Sequence, residues 1–220
     1  MRPLSQLKTG YDSLLERWQA DTAATPFRVT AVGGGAAGVE SVLAVVRRLR
    51  TLRPGRPVQA ELLTRGPTVL PGHPASARRL ALRALQAAGI AVRTGTPWTT
   101  GADAGCDLLL WAAGAQAHAW QRRPQRRGSL AVSPEGFVLI DTHLRSTSHE
   151  RIFAVGDCAH WHDPLPKAGV YAVRMGPVLL DNLVAALEGR PLQAYSPQTT
   201  FLSLLATADA LDASQAALLV

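Results

Sequence analysis

Apolar positions along the chain change period several times, and each change marks an element. Leu7, Leu14, Leu15 and Trp18 fall at helical spacing, so residues 4–20 are expected to form an amphipathic helix, followed by a linker to Pro26. Arg28–Val32 is a β-rich run that opens at once into glycines. Ala36 to about Arg50 is helical, and Pro54-Gly55 ends it. Val58–Thr64 reads as a strand and 67–73 as a loop. Pro74–Ala88 reads as a helix whose leucines and arginines do not separate into clean faces, and Ile90–Thr94 as a strand. Asp107–Ala112 is unbroken and apolar, which predicts a strand covered on both faces. Strands alternating with helices imply a parallel sheet joined by right-handed crossovers, an α/β fold.

Beyond the arginine-rich stretch 122–128 the pattern changes. Phe137–Asp141 and Ile152–Val155 are strand-like, and Gly169–Leu187 is a long helical pattern with a break expected at Gly176-Pro177. The expected organisation is an N-terminal helix and linker (1–25), a dinucleotide-binding domain (26–125), a second partial unit (126–205) and a tail (206–220).

Gly33, Gly35 and Gly38 form a G-x-G-x-x-G after a strand and before a helix. In a dinucleotide site the first glycine permits the tight turn and the second lets backbone approach a diphosphate. The third lets helix pack on strand, and the helix N-terminus offers free N–H groups to the phosphates. The next strand ends Leu63-Thr64-Arg65 instead of in an acid; Arg65 either faces a 2′-phosphate, favouring NADPH, or is a plain surface arginine.

The segment Val32–Glu40 resembles the NAD(P)-binding domain of the FAD/NAD(P)-binding pyridine nucleotide-disulfide oxidoreductase superfamily. Trp111-Ala-Ala-Gly114 is similar to the junction that ends that domain, and Thr147–Ala159 to the family's flavin-closing segment, a strand ending in Gly156-Asp157. Pro164–Pro177 with Asp181-Asn182-Leu183 is similar to the type II NADH dehydrogenase-like branch, especially the flavoprotein module fused to selenide, water dikinase.

The resemblance spans about residues 26–205 and implies a Rossmann-like NAD(P) domain plus the C-terminal portion of a Rossmann-like FAD domain. It implies NAD(P)H and FAD as cofactors and a quinone-like or other small-molecule electron acceptor. It places Asp157 on the ribityl and pyrophosphate side of FAD, and a helix starting near Ala168 with its N-terminus toward the flavin. Glu40 is either a positioning residue at the nicotinamide–flavin contact or a carboxylate suited to a helix start; Lys167 either places a cofactor or acceptor or is a surface charge. Family members carry a further strand–glycine loop–helix for the ADP part of FAD, and this sequence holds a single such loop. The expectation is therefore a fragment lacking that half, and the alternative is an inactive NAD(P)-binding piece without flavin.

Composition changes little. The net charge of +7 and pI near 10.4 raise a nucleic-acid partner, but the arginines are scattered without interleaved aromatics, and none is expected. No signal peptide and no uninterrupted bilayer-length apolar run are read, and Cys106 and Cys158 match no redox or pairing motif, so a cytoplasmic protein with at most peripheral contact at the inner membrane is expected. Cys158, His160, His162 and Asp163 lack a second ligand segment, and no metal is expected.

Overall fold

The computed structural model describes residues 4–23, 25–99, 105–198, 203–207 and 217–219. Most of the expected tail lies outside the described residues. The chain divides into two compact units, one of residues 2–114 with 202–220 and one of residues 115–201.

In the first unit β1 (Phe27–Val32), β2 (Val58–Leu63), β3 (Ile90–Arg93) and β4 (Leu108–Trp111) form a parallel sheet in the order β3-β2-β1-β4. Val32 stands level with Leu63 on one side and Trp111 on the other, so these strands end together at one edge. Helices α2 (Ala36–Leu52) and α3 (Ala75–Ala87) cover one face, joined there by α1 (Leu4–Ala20) packed on α2. The core holds Val29, Val42, Val46, Leu49, Leu62 and Leu85, each at most 1% exposed. On α3 the faces ambiguous in sequence resolve: Ala77, Ala81 and Leu85 are buried, while Leu80 and Leu82 face out.

Helix α1 is held by Trp18, which is 0% exposed. Its indole Nε1 donates to the Leu49 carbonyl (3.1 Å) and its ring meets Phe27 edge-on at 4.9 Å. The Arg56 guanidinium lies 4.4 Å from the indole centroid and pairs with Asp21 at 2.7 Å. A hydrogen bond donated by the Ala23 backbone N–H and then one from Arg56 hold the Asp21 carboxyl below its usual range.

Strand β4 is not covered on both faces. It is an edge strand, with Leu109 37% and Trp111 58% exposed. The sheet face without helices carries Arg28, Gln59, Glu61 and Arg93, beside a groove of about 370 Å3.

The second unit contains α4 (Ala119–Arg122), α5 (Pro124–Arg127), β5 (Val138–Leu139), β6 (Ala159–His160) and the 20-residue α6 (Gly169–Glu188). It begins at Ala115, ahead of residue 125, because the arginine stretch folds into it: Gln121 is 1% exposed, and the Arg122 stem lies against Gly136. Strands β5 and β6 pair in parallel over two residues. The strand expected over 152–155 is absent; Phe153 makes an isolated bridge with Arg145, and Ala154 N–H bonds the Leu144 carbonyl instead of a ladder. Helix α6 is continuous through Pro177. The carbonyl that Pro177 leaves unbonded belongs to Val173, which is 75% exposed, so solvent can serve it. Residues 203–205 and 217–219 form the antiparallel pair β7 and β8.

Replacing Trp18 with Ala is expected to destabilise the first unit by about 3–5 kcal/mol, read by denaturant unfolding. A loss under about 1 kcal/mol would show that α1 is not part of its core.

Candidate functional site

The glycine loop is built from backbone lying against backbone. Gly33 has φ of 122° and lies so close to β4 that a Cβ there would sit 2.2 Å from the Ala112 carbonyl oxygen. A Cβ on Gly38 would sit 1.8 Å from the Gly33 oxygen. Gly34 leaves no room either: a Cβ would come 2.7 Å from the Thr64 hydroxyl oxygen. The contacts thus clamp the turn between β1, β4 and the end of β2.

Gly35 differs. It is the N-cap of α2, its φ is an ordinary −76°, and a Cβ there would meet nothing within 4 Å. The first helical bond runs from Val39 N–H to the Gly35 carbonyl (3.1 Å), so the amides of Ala36, Ala37 and Gly38 have no acceptor within the helix. A helix N-terminus with open space before it fits a diphosphate, whose charge the amides and the helix dipole favour.

The other expected residues of this unit fall as follows. Thr64 is buried beneath Gly34, its hydroxyl accepting from Gly66 N–H (3.3 Å). Arg65 is exposed and makes no ion pair among the described residues. Gly114 follows β4 with φ of 115° and open space around it. The Glu40 carboxylate accepts from the Ala206 backbone N–H at 2.8 Å, tying the C-terminal segment to α2, and Leu205 beside it is buried in the core.

Leu70 escaped sequence reading. It is buried with φ of 51°, and its N–H donates to the Gly34 carbonyl at 2.6 Å. Its signal was slight: an apolar pair, Val69-Leu70, inside a stretch read as loop.

In the second unit Gly156 and Asp157 open a single 3₁₀ turn, residues 156–158. Gly156, with φ of 64°, abuts α6, where a Cβ would come 2.8 Å from that of Ala172, and its N–H points at Met175 Sδ (3.4 Å). Ala168 is the N-cap of α6. Lys167 does not project freely: its ammonium donates to the Ala159 carbonyl and lies 4.0 Å from the centroid of the Phe137 ring. Gly156, Lys167, Ala168 and Met175 line a cavity of about 50 Å3. Burial pushes the Lys167 amine below its usual value, against the opposing pull of Asp157, Cys158 and Glu135.

Two groupings therefore form, one per unit: Gly33, Gly35, Gly38 and Thr64, and Gly156, Asp157, Lys167 and Ala168. The second sets the start of α6 beside Gly156-Asp157. Among the described residues, β5 runs into the turn at 141–144 and not into a glycine loop and helix.

The sequence profile of the pyridine nucleotide-disulphide oxidoreductase family matches residues 11–176. The chain belongs to this family. The pyridine nucleotide-disulphide oxidoreductases use FAD and NAD(P)H. Among curated members, a type II NADH:quinone oxidoreductase of Haemophilus influenzae is 26% identical over 199 residues, 80% of this chain and 44% of its own. The human ferroptosis suppressor protein 1 is 29% identical over 97 residues, 44% of this chain and 25% of its own. The sulfide:quinone oxidoreductase of Aquifex aeolicus superposes with a TM-score of 0.67 at 14% identity, covering 89% of this chain and 51% of that one; that likeness is one of fold. The chain spans less than half the length of the curated relatives it matches.

The chain's two lysines are expected to titrate in opposite directions. Lys8, paired with Asp12, should lose its proton above the usual 10.5 and Lys167 below it. Methyl resonances of the reductively methylated protein, followed against pH, read both; Lys167 titrating at or above Lys8 would contradict its placement.

Proposed function

We propose that the chain binds NAD(P)H at the Gly33–Gly38 loop and serves as the nicotinamide half of a flavin-dependent NAD(P)H oxidoreductase. What carries this reading is the space over Gly35, a position whose backbone suits any residue and yet is left bare at the start of α2. Everything around it that is tight is tight for the fold; this opening serves no packing purpose. Bound FAD would supply the electron relay between NAD(P)H and a quinone-like or other small-molecule acceptor.

What this chain's own residues do is narrower. The amides of Ala36–Gly38 hold the diphosphate, Arg65, exposed at the end of β2, is the group that would meet an adenosine 2′-phosphate, and Glu40 fixes the segment at Ala206. Asp157, Lys167 and Ala168 form the part of a flavin site that the chain contains. Because the ADP part of FAD finds no seat among the described residues, flavin binding requires a further segment. That same observation favours a second reading, an NAD(P)-binding protein without flavin. The proposal includes a cytoplasmic location, no nucleic-acid partner and at most peripheral contact with a membrane.

Titration calorimetry with NADPH and NADH tests the first step. Gly35→Ala is expected to leave thermal stability unchanged and to weaken nucleotide binding roughly tenfold, about 1.4 kcal/mol. Arg65→Glu should weaken NADPH more than NADH. Failure of the unmodified protein to bind either nucleotide would end the proposal. A flavin spectrum bleached by NAD(P)H would support the oxidoreductase; colourless protein that binds nucleotide supports the second reading.

A further inference from the structure

One stretch of the second unit concentrates positive charge. Between Asp107 and Glu135 the sequence has no acidic residue, and Arg122, Arg123, Arg126 and Arg127 fall within that interval. None of the four makes an ion pair among the described residues. The acids that the fold brings near are used elsewhere. The Glu135 carboxylate accepts from the Ser133 hydroxyl and senses His160 and Lys167, although Gly136 beside it touches the Arg122 stem. Glu150 stands in the turn tied to Ser129 through His149, and Arg151 next to it balances its charge.

The stretch is also held in one shape. Ala117, Gln121 and Leu130 anchor it, 4%, 1% and 6% exposed. Gln121 Oε1 accepts the His118 N–H (2.9 Å), and the Gln121 carbonyl accepts from Arg127 Nη1 (3.2 Å). With these groups inward, Arg122, Arg123 and Arg126 face solvent. So does Trp120, 45% exposed and without a ring partner among the described residues. The fold buries an alanine and an amide here and leaves the indole in water among guanidinium groups.

We propose that α4 and α5 form a surface that docks on an anionic phospholipid bilayer. The arginines fork onto headgroup phosphates, and Trp120 sits at the depth of the headgroups, where an indole is favoured. A nucleic acid fits this surface less well. Each helix is four residues, about 6 Å, too short to lie along a groove, and a single indole offers no platform for successive bases. Helix α6 is long and apolar enough to cross a bilayer by length and composition, but Arg174 and Asp181 stand within it, so the contact proposed is one at the surface. The inference gives a place to the peripheral membrane contact contained in the proposed function and rests on that part of it alone. None of its residues belongs to the nucleotide site.

Flotation of the full chain with vesicles tests it. The protein should bind vesicles of equal parts phosphatidylglycerol and phosphatidylcholine, ignore phosphatidylcholine alone, and be released as salt is raised. Arg123→Ala with Arg126→Ala should lower partitioning roughly 25-fold, about fivefold per arginine. Arg79→Ala with Arg83→Ala removes the same charge from the exposed side of α3 and should leave partitioning nearly unchanged. Brominated phosphatidylglycerol should quench tryptophan emission, and Trp120→Phe should remove most of that quenching. No binding to the anionic vesicles at low salt overturns the proposal, as does equal loss from the two arginine pairs, which would reflect net charge alone. Displacement by inorganic phosphate beyond that by chloride of equal ionic strength, or tighter binding of a mixed-sequence oligonucleotide by the same arginines, overturns the bilayer as partner. Calorimetry with NADPH separates the readings: unmodified protein that binds the nucleotide and ignores the vesicles overturns this inference alone, and the converse overturns only the nucleotide reading.

Discussion

The first unit depends on one steric constraint, the near-contact of three stretches of backbone at the carboxyl edge of its sheet. The Gly33 oxygen occupies the place a Cβ of Gly38 would take, and Ala112 occupies that of Gly33. Because α2 can come this close to the end of β1, its first amides stand directly over the strand edge, and the sheet register that brings Val32 level with Leu63 and Trp111 follows. Leu70 closes the loop from its far side through the Gly34 carbonyl. The loop's shape is thus set by sterics and by backbone hydrogen bonds from Gly33 N–H to Leu63 and from Leu70 N–H to Gly34, before any ligand arrives, and the opening at Gly35 is what this framework leaves.

The second unit is organised by polar groups. Asn182 is fully buried on α6 and fully used: its amide nitrogen donates to the His143 and Gln193 carbonyls, both at 2.8 Å, and its oxygen accepts from Gln193 N–H at 2.7 Å. A buried amide satisfied on every side fixes the rotation of the helix about its own axis. That rotation puts Tyr171 and Met175 inward and Val173, Leu180 and Leu187 outward, and it sets Gly156 against Ala172. The exposure of those three is a consequence of where Asn182 must point.

How much of this was legible in the sequence varied with the range of the interaction. Residues 4–20 and Gly169 onward carry a helical period, and their helices start where the pattern does. The glycine spacing gave the loop, since each glycine answers a local steric demand. The sequence could not show that Glu40 holds Ala206, because its partner is 166 residues away. Nor could it show that Pro177 leaves α6 unbroken, which depends on which side of the helix meets water. The run Asp107–Ala112 misled for a related reason: composition records how apolar a strand is and not whether anything lies against it. The short pairing of β5 and β6 escaped because two-residue strands have no period to read.

The uncovered sheet face has its own logic. Parallel sheets are ordinarily buried on both sides, and their strands are then apolar throughout. Here β1 and β2 alternate at their amino ends: Val29, Val58 and Ala60 point to the helices, while Arg28, Gln59 and Glu61 point away. Glu61 takes hydrogen bonds from Thr30 and Arg93 on the two neighbouring strands (3.2 and 2.8 Å), so its charge is paired across the sheet. On β4, by contrast, Leu109 and Trp111 meet solvent with no polar substitution, and Trp111 meets the edge of Trp98, 6.3 Å away centroid to centroid. The sheet therefore passes from a side adapted to water to a side that is not, within a single face. Cross-strand pairing of charges makes the first half of that face stable as it stands, and its exposed large apolar side chains, Leu109 and Trp111, stand on the strand that borders the glycine loop.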